Sequence, residues 1–128
     1  MSRMLRLQWV VLAAMLLCLP AGAQAQTYHA VQDAHAGLAV ISSAELPPQA
    51  RDTLRAIKEG GPFAYPRDGV VFSNYERILP KRPRGYYHEY TVRTPGTHGR
   101  GARRIISGET GEYFYTADHY RTFNRILE

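Results

Sequence analysis

Glu89 and His119, in the second half of the sequence, are of the residue types that acid–base catalysis uses. Glu89 stands among aromatic residues, where a carboxylate is costly unless it is paired or used. Arg100 and Arg104 lie between the two. One group could remove a hydroxyl proton, the arginines could stabilise a phosphorane, and the other group could protonate the departing oxygen. The set therefore suits phosphodiester cleavage of the kind that RNA undergoes, without a metal ion.

The same residues also allow a structural interpretation. Arg104 falls on the strand predicted to follow that of Glu89, so the two side chains could form a cross-strand ion pair. His119 falls in a predicted turn, which its side chain could cap. Spacing alone favours this structural interpretation over catalysis.

Other kinds of catalytic site find little support in the sequence. It contains no pair of histidines at helical spacing, no cysteine cluster and no Asp-x-Asp set, so we predict no metal and no other cofactor. It also lacks Gly-x-Ser-x-Gly and a glycine-rich loop before a helix. A serine or cysteine nucleophile is therefore not indicated.

The helix and strand patterns predict an α+β fold, in which one N-terminal helix packs on a small antiparallel β-sheet. The helix is predicted over Gln49–Glu59, after two prolines and before Gly60-Gly61. Short turns between the strands imply an antiparallel meander. The strand candidates are His88–Arg93, Ala102–Ser107, Glu112–Thr116 and Thr122–Leu127, with Leu38–Ile41 as a candidate edge strand.

The first 25 residues contain a charged region, an apolar region and a cleavage site, in the order found in secretory signal peptides. Arg3 and Arg6 precede an apolar run, and cleavage is predicted after Ala23 or Ala25. The run is short for a permanent membrane span, although an uncleaved anchor is the alternative. The single cysteine, Cys18, lies in this segment, so the exported chain would contain no disulfide.

Positive charge is concentrated between residues 77 and 104, where Glu89 is the only acidic residue. Tyrosines and a histidine are interleaved with the basic residues, which is typical of a face that binds a polyanion and stacks on its bases. A solvated surface stripe is an equally good interpretation of charge alone. The basic residues are Arg77, Lys81, Arg82, Arg84, Arg93, Arg100, Arg103 and Arg104.

Six segments occur in an order that is typical of one family. They are Leu46–Leu54, Gly61–Phe72, Gly85–Val92, Thr94–Gly96, Arg100–Ile106 and Tyr115–Tyr120. Together they resemble the microbial guanyl-preferring ribonucleases, the group that includes barnase. The resemblance covers residues 45–127, and it changes the interpretation of Glu89 and His119 from structural to catalytic.

The resemblance implies a role for each matching residue. Glu89 corresponds to the family's general base, His119 to its general acid, and Arg100 and Arg104 to its phosphate-binding arginines. Tyr120 corresponds to a tyrosine beside the phosphate and base. The guanine-recognition loop corresponds to Phe72, Ser73, Asn74, Tyr75 and Glu76. Its backbone N–H groups would bond the O6 and N7 atoms of guanine, and Glu76 would accept hydrogen bonds from N1–H and the exocyclic amine.

The sequence also departs from the family pattern. Ser73 and Tyr75 stand where relatives carry other polar or charged residues, which leaves the strength of the guanine preference open. Some relatives have a disulfide that this chain cannot form. The segment before residue 45 does not align, so we assign residues 1–25 to the signal peptide, residues 26–44 to an N-terminal segment and residues 45–128 to the ribonuclease domain.

From this resemblance we expect a secreted or periplasmic endoribonuclease that cleaves single-stranded RNA after guanosine. It would form a 2′,3′-cyclic phosphate and hydrolyse it to a 3′-phosphate. We expect a monomer without stable membrane association, and the family suggests an acidic barstar-like inhibitor as a candidate partner. A non-catalytic RNA-binding protein with the same fold is the alternative.

Overall fold

The computed structural model of the protein describes residues 37–128. The predicted signal peptide and residues 26–36 lie outside this range. The described part contains one α-helix, α1 (Pro48–Glu59), and six strands: β1 (Ala39–Ser42), β2 (Val70–Val71), β3 (Tyr87–Thr91), β4 (Arg104–Gly108), β5 (Tyr113–Thr116) and β6 (Asn124–Leu127). No helix within residues 37–128 is long and apolar enough to cross a membrane.

Helix α1 forms where the sequence predicts it and begins one residue earlier, at Pro48. Proline is tolerated there because the first N–H groups of a helix have no partner within the helix. Gly60 ends the helix in the left-handed conformation, with φ of 80°, which glycine adopts without steric cost. The amides of Gly60 and Gly61 donate to the carbonyls of Ile57 and Ala56, so the last turn is closed.

The six strands form one sheet in the order β1-β6-β5-β4-β3-β2. Strands β3 to β6 pair antiparallel as predicted, and β2, which was not predicted as a strand, pairs antiparallel with β3. Strand β1 instead pairs with β6 in parallel. The sheet is therefore mixed rather than wholly antiparallel. A parallel pair needs a long crossover connection, and this pair joins residues 39–42 to residues 124–127 across most of the chain. Short-range spacing carries no signal for such a pair.

The two faces of the sheet are covered differently. Helix α1 packs on one face through Ala50 and Leu54, which contact Val92, Ile105 and Tyr115. The loops cover the other face in a second apolar cluster, whose buried members are Leu79, Tyr86, Tyr87, Ile106, Phe114 and Phe123. Side chains alternate along a strand, so Glu89, two residues after Tyr87, lies on the loop-covered face.

Strands β4 and β6 each begin two residues later than their sequence patterns predict. β4 begins at Arg104, which pairs with Thr91, so residues 102 and 103 belong to the preceding loop. β6 begins at Asn124 rather than Thr122, because the amide and hydroxyl of Thr122 both donate to the carboxylate of Asp118. These hydrogen bonds close the turn that carries His119.

Candidate active site

Glu89 is a buried carboxylate in the middle of β3, with 7% of its surface exposed. Its Oε2 atom accepts a hydrogen bond from the hydroxyl of Tyr120 at 2.5 Å. Its Oε1 atom lies 3.8 Å from Nη2 of Arg67 and 3.8 Å from Nη2 of Arg100. A buried charge needs such compensation, since an isolated one is strongly disfavoured.

Arg100 and Arg104, the two arginines predicted to bind phosphate, are both held in place. Arg100 Nε donates to Thr91 Oγ1 at 3.0 Å. Arg104 is 3% exposed, and its Nη1 atom donates to the carbonyls of Gly101 at 2.9 Å and Arg103 at 2.7 Å. Buried Nη2 of Arg100 and Nε of Arg104 have no hydrogen-bond partner among the described residues. Buried guanidinium donors normally have acceptors, so these two favour an anionic ligand.

Arg104 does not form the cross-strand ion pair with Glu89 that the structural interpretation predicts. The register places Arg104 opposite Thr91 and places Ile106 opposite Glu89. Within residues 37–128, the ion pairs of Glu89 are those with Arg67 and Arg100. The guanidinium of Arg104 lies 6.0 Å from the ring centre of Tyr120 instead.

His119 and Tyr120 lie in a turn with a left-handed backbone, at φ of 57° and 71°. This conformation is uncommon for residues with side chains and requires support. Thr116 Oγ1 donates to Asp118 Oδ1 at 2.9 Å and accepts from the amide of Tyr120 at 3.1 Å. The amide of His119 donates to the carbonyl of Ala102 at 3.0 Å. The exposed imidazole thereby packs against the ring of Tyr120, with centroids 4.7 Å apart.

Two pKa shifts fit this arrangement. Burial, followed by the hydrogen bond to Glu89, raises the pKa of Tyr120 to about 12, so the phenol stays a donor at neutral pH. Hydrogen bonds from Thr122 lower the pKa of Asp118 to about 2. Asp118 is therefore ionised in the neutral range and can hold the turn that carries His119.

A cleft of about 310 Å³ opens beside Glu89. The ring of Phe72 lies on that of Tyr120, with centroids 5.1 Å apart and planes at 28°, which forms an aromatic surface. Asn74 shapes the neighbouring loop, because its side chain donates to the carbonyl of Leu79 and accepts from the amide of Leu79. The cleft is lined by Phe72, Ser73, Asn74, Tyr75, Glu76, Glu89 and Tyr120, among other residues.

Seven of the ten residues that the sequence assigns to the site therefore line one cleft. The other three, Arg100, Arg104 and His119, contact Glu89 or Tyr120. Arg67 also lines the cleft and faces Glu89, although it is not among the site residues predicted from the sequence. Its only sequence signal is its place beside Asp68-Gly69 in a matching segment, since nothing in its spacing separates it from the other arginines.

Within residues 37–128, no group of three or more His, Cys, Asp or Glu side chains could hold a metal ion.

A family model described as ribonuclease matches residues 29–127 of this chain. The match begins before residue 45, the predicted start of the ribonuclease domain. It therefore includes β1, the strand that the sheet pairs with β6.

Three guanyl-specific ribonucleases resemble the chain closely in sequence. Ribonuclease St of Saccharopolyspora erythraea is 56% identical over 91 residues, which are 71% of this chain and 90% of that protein. Ribonuclease Sa of Kitasatospora aureofaciens is 61% identical over 82 residues, or 63% of this chain and 85% of that protein. Ribonuclease Sa3 of the same organism is 62% identical over 82 residues, or 63% of this chain and 58% of that protein.

Solved structures of ribonuclease Sa2 share the fold. A structure from a study of its mononucleotide complexes superposes with a TM-score of 0.70 at 52% identity, covering 71% of this chain and 95% of that chain. A second, with guanosine-2′-cyclophosphate, has a TM-score of 0.68 at 52% identity and covers 70% of this chain and 96% of that chain.

Proposed function

Because this chain belongs to the family of microbial guanyl-preferring ribonucleases, we propose that it cleaves single-stranded RNA after guanosine, with Glu89 as general base and His119 as general acid. The observation that carries the proposal is the placement of Glu89. This buried carboxylate lines the same cleft as the loop from Phe72 to Glu76 and lies within ion-pair distance of Arg100. A base beside a nucleobase pocket and a phosphate-binding cation is what this reaction requires.

In the first step, Glu89 accepts the proton of the ribose 2′-hydroxyl, and O2′ attacks the adjacent phosphorus. Arg100 and Arg104 stabilise the negative charge of the phosphorane. The bond from phosphorus to the departing 5′-oxygen then breaks, and protonated His119 gives that oxygen its proton. The products are a 2′,3′-cyclic phosphate and a new 5′-hydroxyl.

In the second step, the two residues exchange roles. Neutral His119 accepts a proton from water, whose oxygen attacks the phosphorus of the cyclic phosphate. The bond to O2′ breaks, and protonated Glu89 returns a proton to O2′. This leaves a 3′-phosphate and restores both side chains. Since each residue works in one protonation state at a time, we expect a bell-shaped pH profile.

Guanine would bind in the cleft against the ring of Phe72 or Tyr75. Backbone N–H groups of the loop would donate to O6 and N7, and the carboxylate of Glu76 would accept from N1–H and the exocyclic amine. Adenine would leave both sets of groups mismatched. The fixed conformation of the loop supports this role. The side-chain nitrogen of Asn74 donates to the carbonyl of Leu79, and its side-chain oxygen accepts from the amide of Leu79. Ribonuclease Sa2 has been solved with guanosine-2′-cyclophosphate and with 3′-GMP.

A dinucleotide assay tests the chemistry and the specificity separately. The protein is incubated with GpN and ApN series in excess chelator, and the products are separated over time. We expect GpN to be cleaved through a cyclic intermediate at an unchanged rate in chelator. Loss of cleavage in chelator would overturn the metal-independent mechanism. Equal rates for GpN and ApN would overturn the guanine preference.

Export is a separate part of the proposal. Its support is the order of charged, apolar and small residues over residues 1–25. Expression of the full gene in a bacterium, with mass spectrometry of the exported chain, should give an N-terminus directly after Ala23 or Ala25. A full-length chain in the membrane fraction would favour the uncleaved anchor.

An acidic barstar-like inhibitor is the partner that we propose for the producing cell. An active ribonuclease is dangerous before export, and the surface around the cleft exposes Tyr75 (88%) together with the cationic side chain of Arg67 (66%). An acidic protein would be steered to such a face. Expression of the chain without its signal in a cytoplasm should be toxic, and harmless expression without an inhibitor would argue against this partner. Defence against competitors and phosphate scavenging both fit such an enzyme.

A further inference from the structure

Arg67 is a cation of the cleft to which the proposed mechanism gives no role. Its Nη2 atom lies 3.8 Å from Oε1 of Glu89, and 66% of its side chain is exposed. Within residues 37–128, its guanidinium makes no direct hydrogen bond. The guanidinium is mostly exposed and approaches Glu89 only at ion-pair distance, so the donors of Arg67 are available to a ligand.

The loop that carries Arg67 is nevertheless firmly fixed. Asp68 accepts hydrogen bonds from the amide of Thr91 at 2.8 Å and from that of Tyr65 at 3.2 Å. The amide of Gly69 donates to the carbonyl of Glu89 at 2.8 Å. These bonds tie both residues after Arg67 to β3, the strand that carries Glu89. The backbone next to Arg67 is thus fixed in position, although its side chain is exposed to solvent.

The order of the strands determines from which side of the cleft Arg67 approaches Glu89. Glu89 lies on β3, between β4 and β2. Arg100 and Arg104 approach from the β4 side, and Arg67 comes from the loop before β2. The scissile phosphate, on the 3′ side of the guanosine ribose, is assigned to the β4 side by the proposed mechanism. With O2′ at Glu89, the 5′ side of the same ribose would extend toward β2 and Arg67.

From this placement we propose that Arg67 binds the phosphate on the 5′ side of the cleaved guanosine. The inference rests on the proposed function, because it takes the position of the nucleotide from it. A guanidinium can give two parallel hydrogen bonds to one phosphate, which fixes the orientation of the strand as well as the charge. The enzyme would therefore favour a guanosine inside a chain over a guanosine at a free 5′-hydroxyl end.

Binding and turnover test this subsite separately. Affinities for guanosine 3′,5′-bisphosphate and guanosine 3′-monophosphate are measured by calorimetry, and kcat/KM is measured for pGpC and GpC. The protein is compared with Arg67→Gln and with Arg55→Gln. Arg55 is a suitable control because it is an exposed arginine on α1, which covers the opposite face of the sheet.

We expect the 5′-phosphate to improve both affinity and kcat/KM by about 5- to 10-fold. The change in kcat/KM should lie mainly in KM, because Arg67 would contact the 5′-phosphate equally in the ground state and in the transition state. Both ratios should fall to near one in Arg67→Gln and persist in Arg55→Gln. Ratios near one in the unaltered protein would overturn the inference, and so would unchanged ratios in Arg67→Gln. The calorimetric ratio judges the subsite even if neither dinucleotide is cleaved, an outcome that would contradict the proposed function instead.

Discussion

The hydroxyl of Tyr120 donates a hydrogen bond of 2.5 Å to Oε2 of Glu89, which makes the two oxygens of this buried carboxylate unequal. Oε2 is occupied by the phenol. Oε1 has only the longer ion pairs with Arg67 and Arg100 among the described residues. In the proposed mechanism, Oε1 is therefore the atom that accepts the proton of the 2′-hydroxyl, and Tyr120 would orient the carboxylate for that purpose.

Replacement of Tyr120 by phenylalanine tests this orienting role. The ring and its contacts with Phe72 and His119 are retained, and only the hydrogen bond is lost. We expect kcat to fall by about 10-fold, the equivalent of one hydrogen bond to a charged group. Tyr90→Phe is the control, because Tyr90 packs against Phe63. A kcat within 2-fold of the original in Tyr120→Phe would show that Glu89 needs no such support.

The sequence predicts Glu89 and its partners unequally well. The aromatic residues around Glu89 and the family motif indicate a paired or used carboxylate at a site, and the structure shows Glu89 buried and lining the cleft. Arg67 could not be predicted, because its approach depends on two hydrogen bonds that no local pattern encodes. The carboxylate of Asp68 accepts from the amide of Thr91, and the amide of Gly69 donates to the carbonyl of Glu89. The suggested ion pair between Glu89 and Arg104 was wrong for a similar reason. The loop of a hairpin sets its register, and this register places Arg104 opposite Thr91.

The same distinction applies to the fold. The helix was predictable because prolines and glycines mark its ends locally. The antiparallel strands follow from short turns between β-rich segments. The parallel pairing of β1 with β6 joins distant parts of the chain, and Leu38–Ile41 alone indicates only a strand without a partner. Local chemistry thus predicted the elements, and long-range pairing decided the mixed sheet.

Removal of either proposed acid–base residue should nearly abolish turnover. We expect Glu89→Ala and His119→Ala each to lower kcat by about 10²- to 10⁴-fold, the usual contribution of a positioned proton donor or acceptor. Glu59→Ala and His98→Ala are matched controls on the exposed surface. The rates are measured with GpC, together with circular dichroism to verify folding. A folded variant with more than about a tenth of the original kcat would remove its residue from the mechanism.

Glu76 should determine the preference for guanine rather than the rate of the chemical step. Glu76→Gln replaces an acceptor that would face N1–H with a group that can present a donor there. We expect the ratio of kcat/KM for GpC over ApC to fall by about 10- to 100-fold, mainly through loss of GpC cleavage. Glu109→Gln is the control, since Glu109 is exposed and outside the cleft. An unchanged ratio would exclude Glu76 from base recognition.

Asp68 should contribute to stability, because it joins the Arg67 loop to β3. Its carboxylate accepts from the amides of Thr91 and Tyr65. We expect Asp68→Ala to lower the free energy of unfolding by about 2–3 kcal/mol, since two amides lose a charged acceptor. Urea denaturation measures the change, with Asp52→Ala as a control because Asp52 is exposed on α1. A loss no larger than that of the control would mean that water replaces the carboxylate without cost.

The contribution of Asp118 to stability should depend on pH. Hydrogen bonds from Thr122 lower the pKa of Asp118 from 3.8 to about 2 in the folded state. A lowered pKa means that the folded protein binds this proton less readily than the unfolded chain. The stabilisation from ionised Asp118 is therefore complete above pH 3.8 and is lost as the pH falls through about 2.

Asp118→Asn should accordingly have a lower Tm than the unaltered protein at neutral pH, and the difference should narrow as the pH falls from about 4 toward 2. The carboxylate also holds the turn of His119, so kcat at neutral pH should fall as well, by less than in His119→Ala. Calorimetric scans at a series of pH values measure the first effect, with Asp52→Asn as the control. A Tm difference that stays constant across this range would show that the hydrogen bonds from Thr122 do not depend on the charge of Asp118.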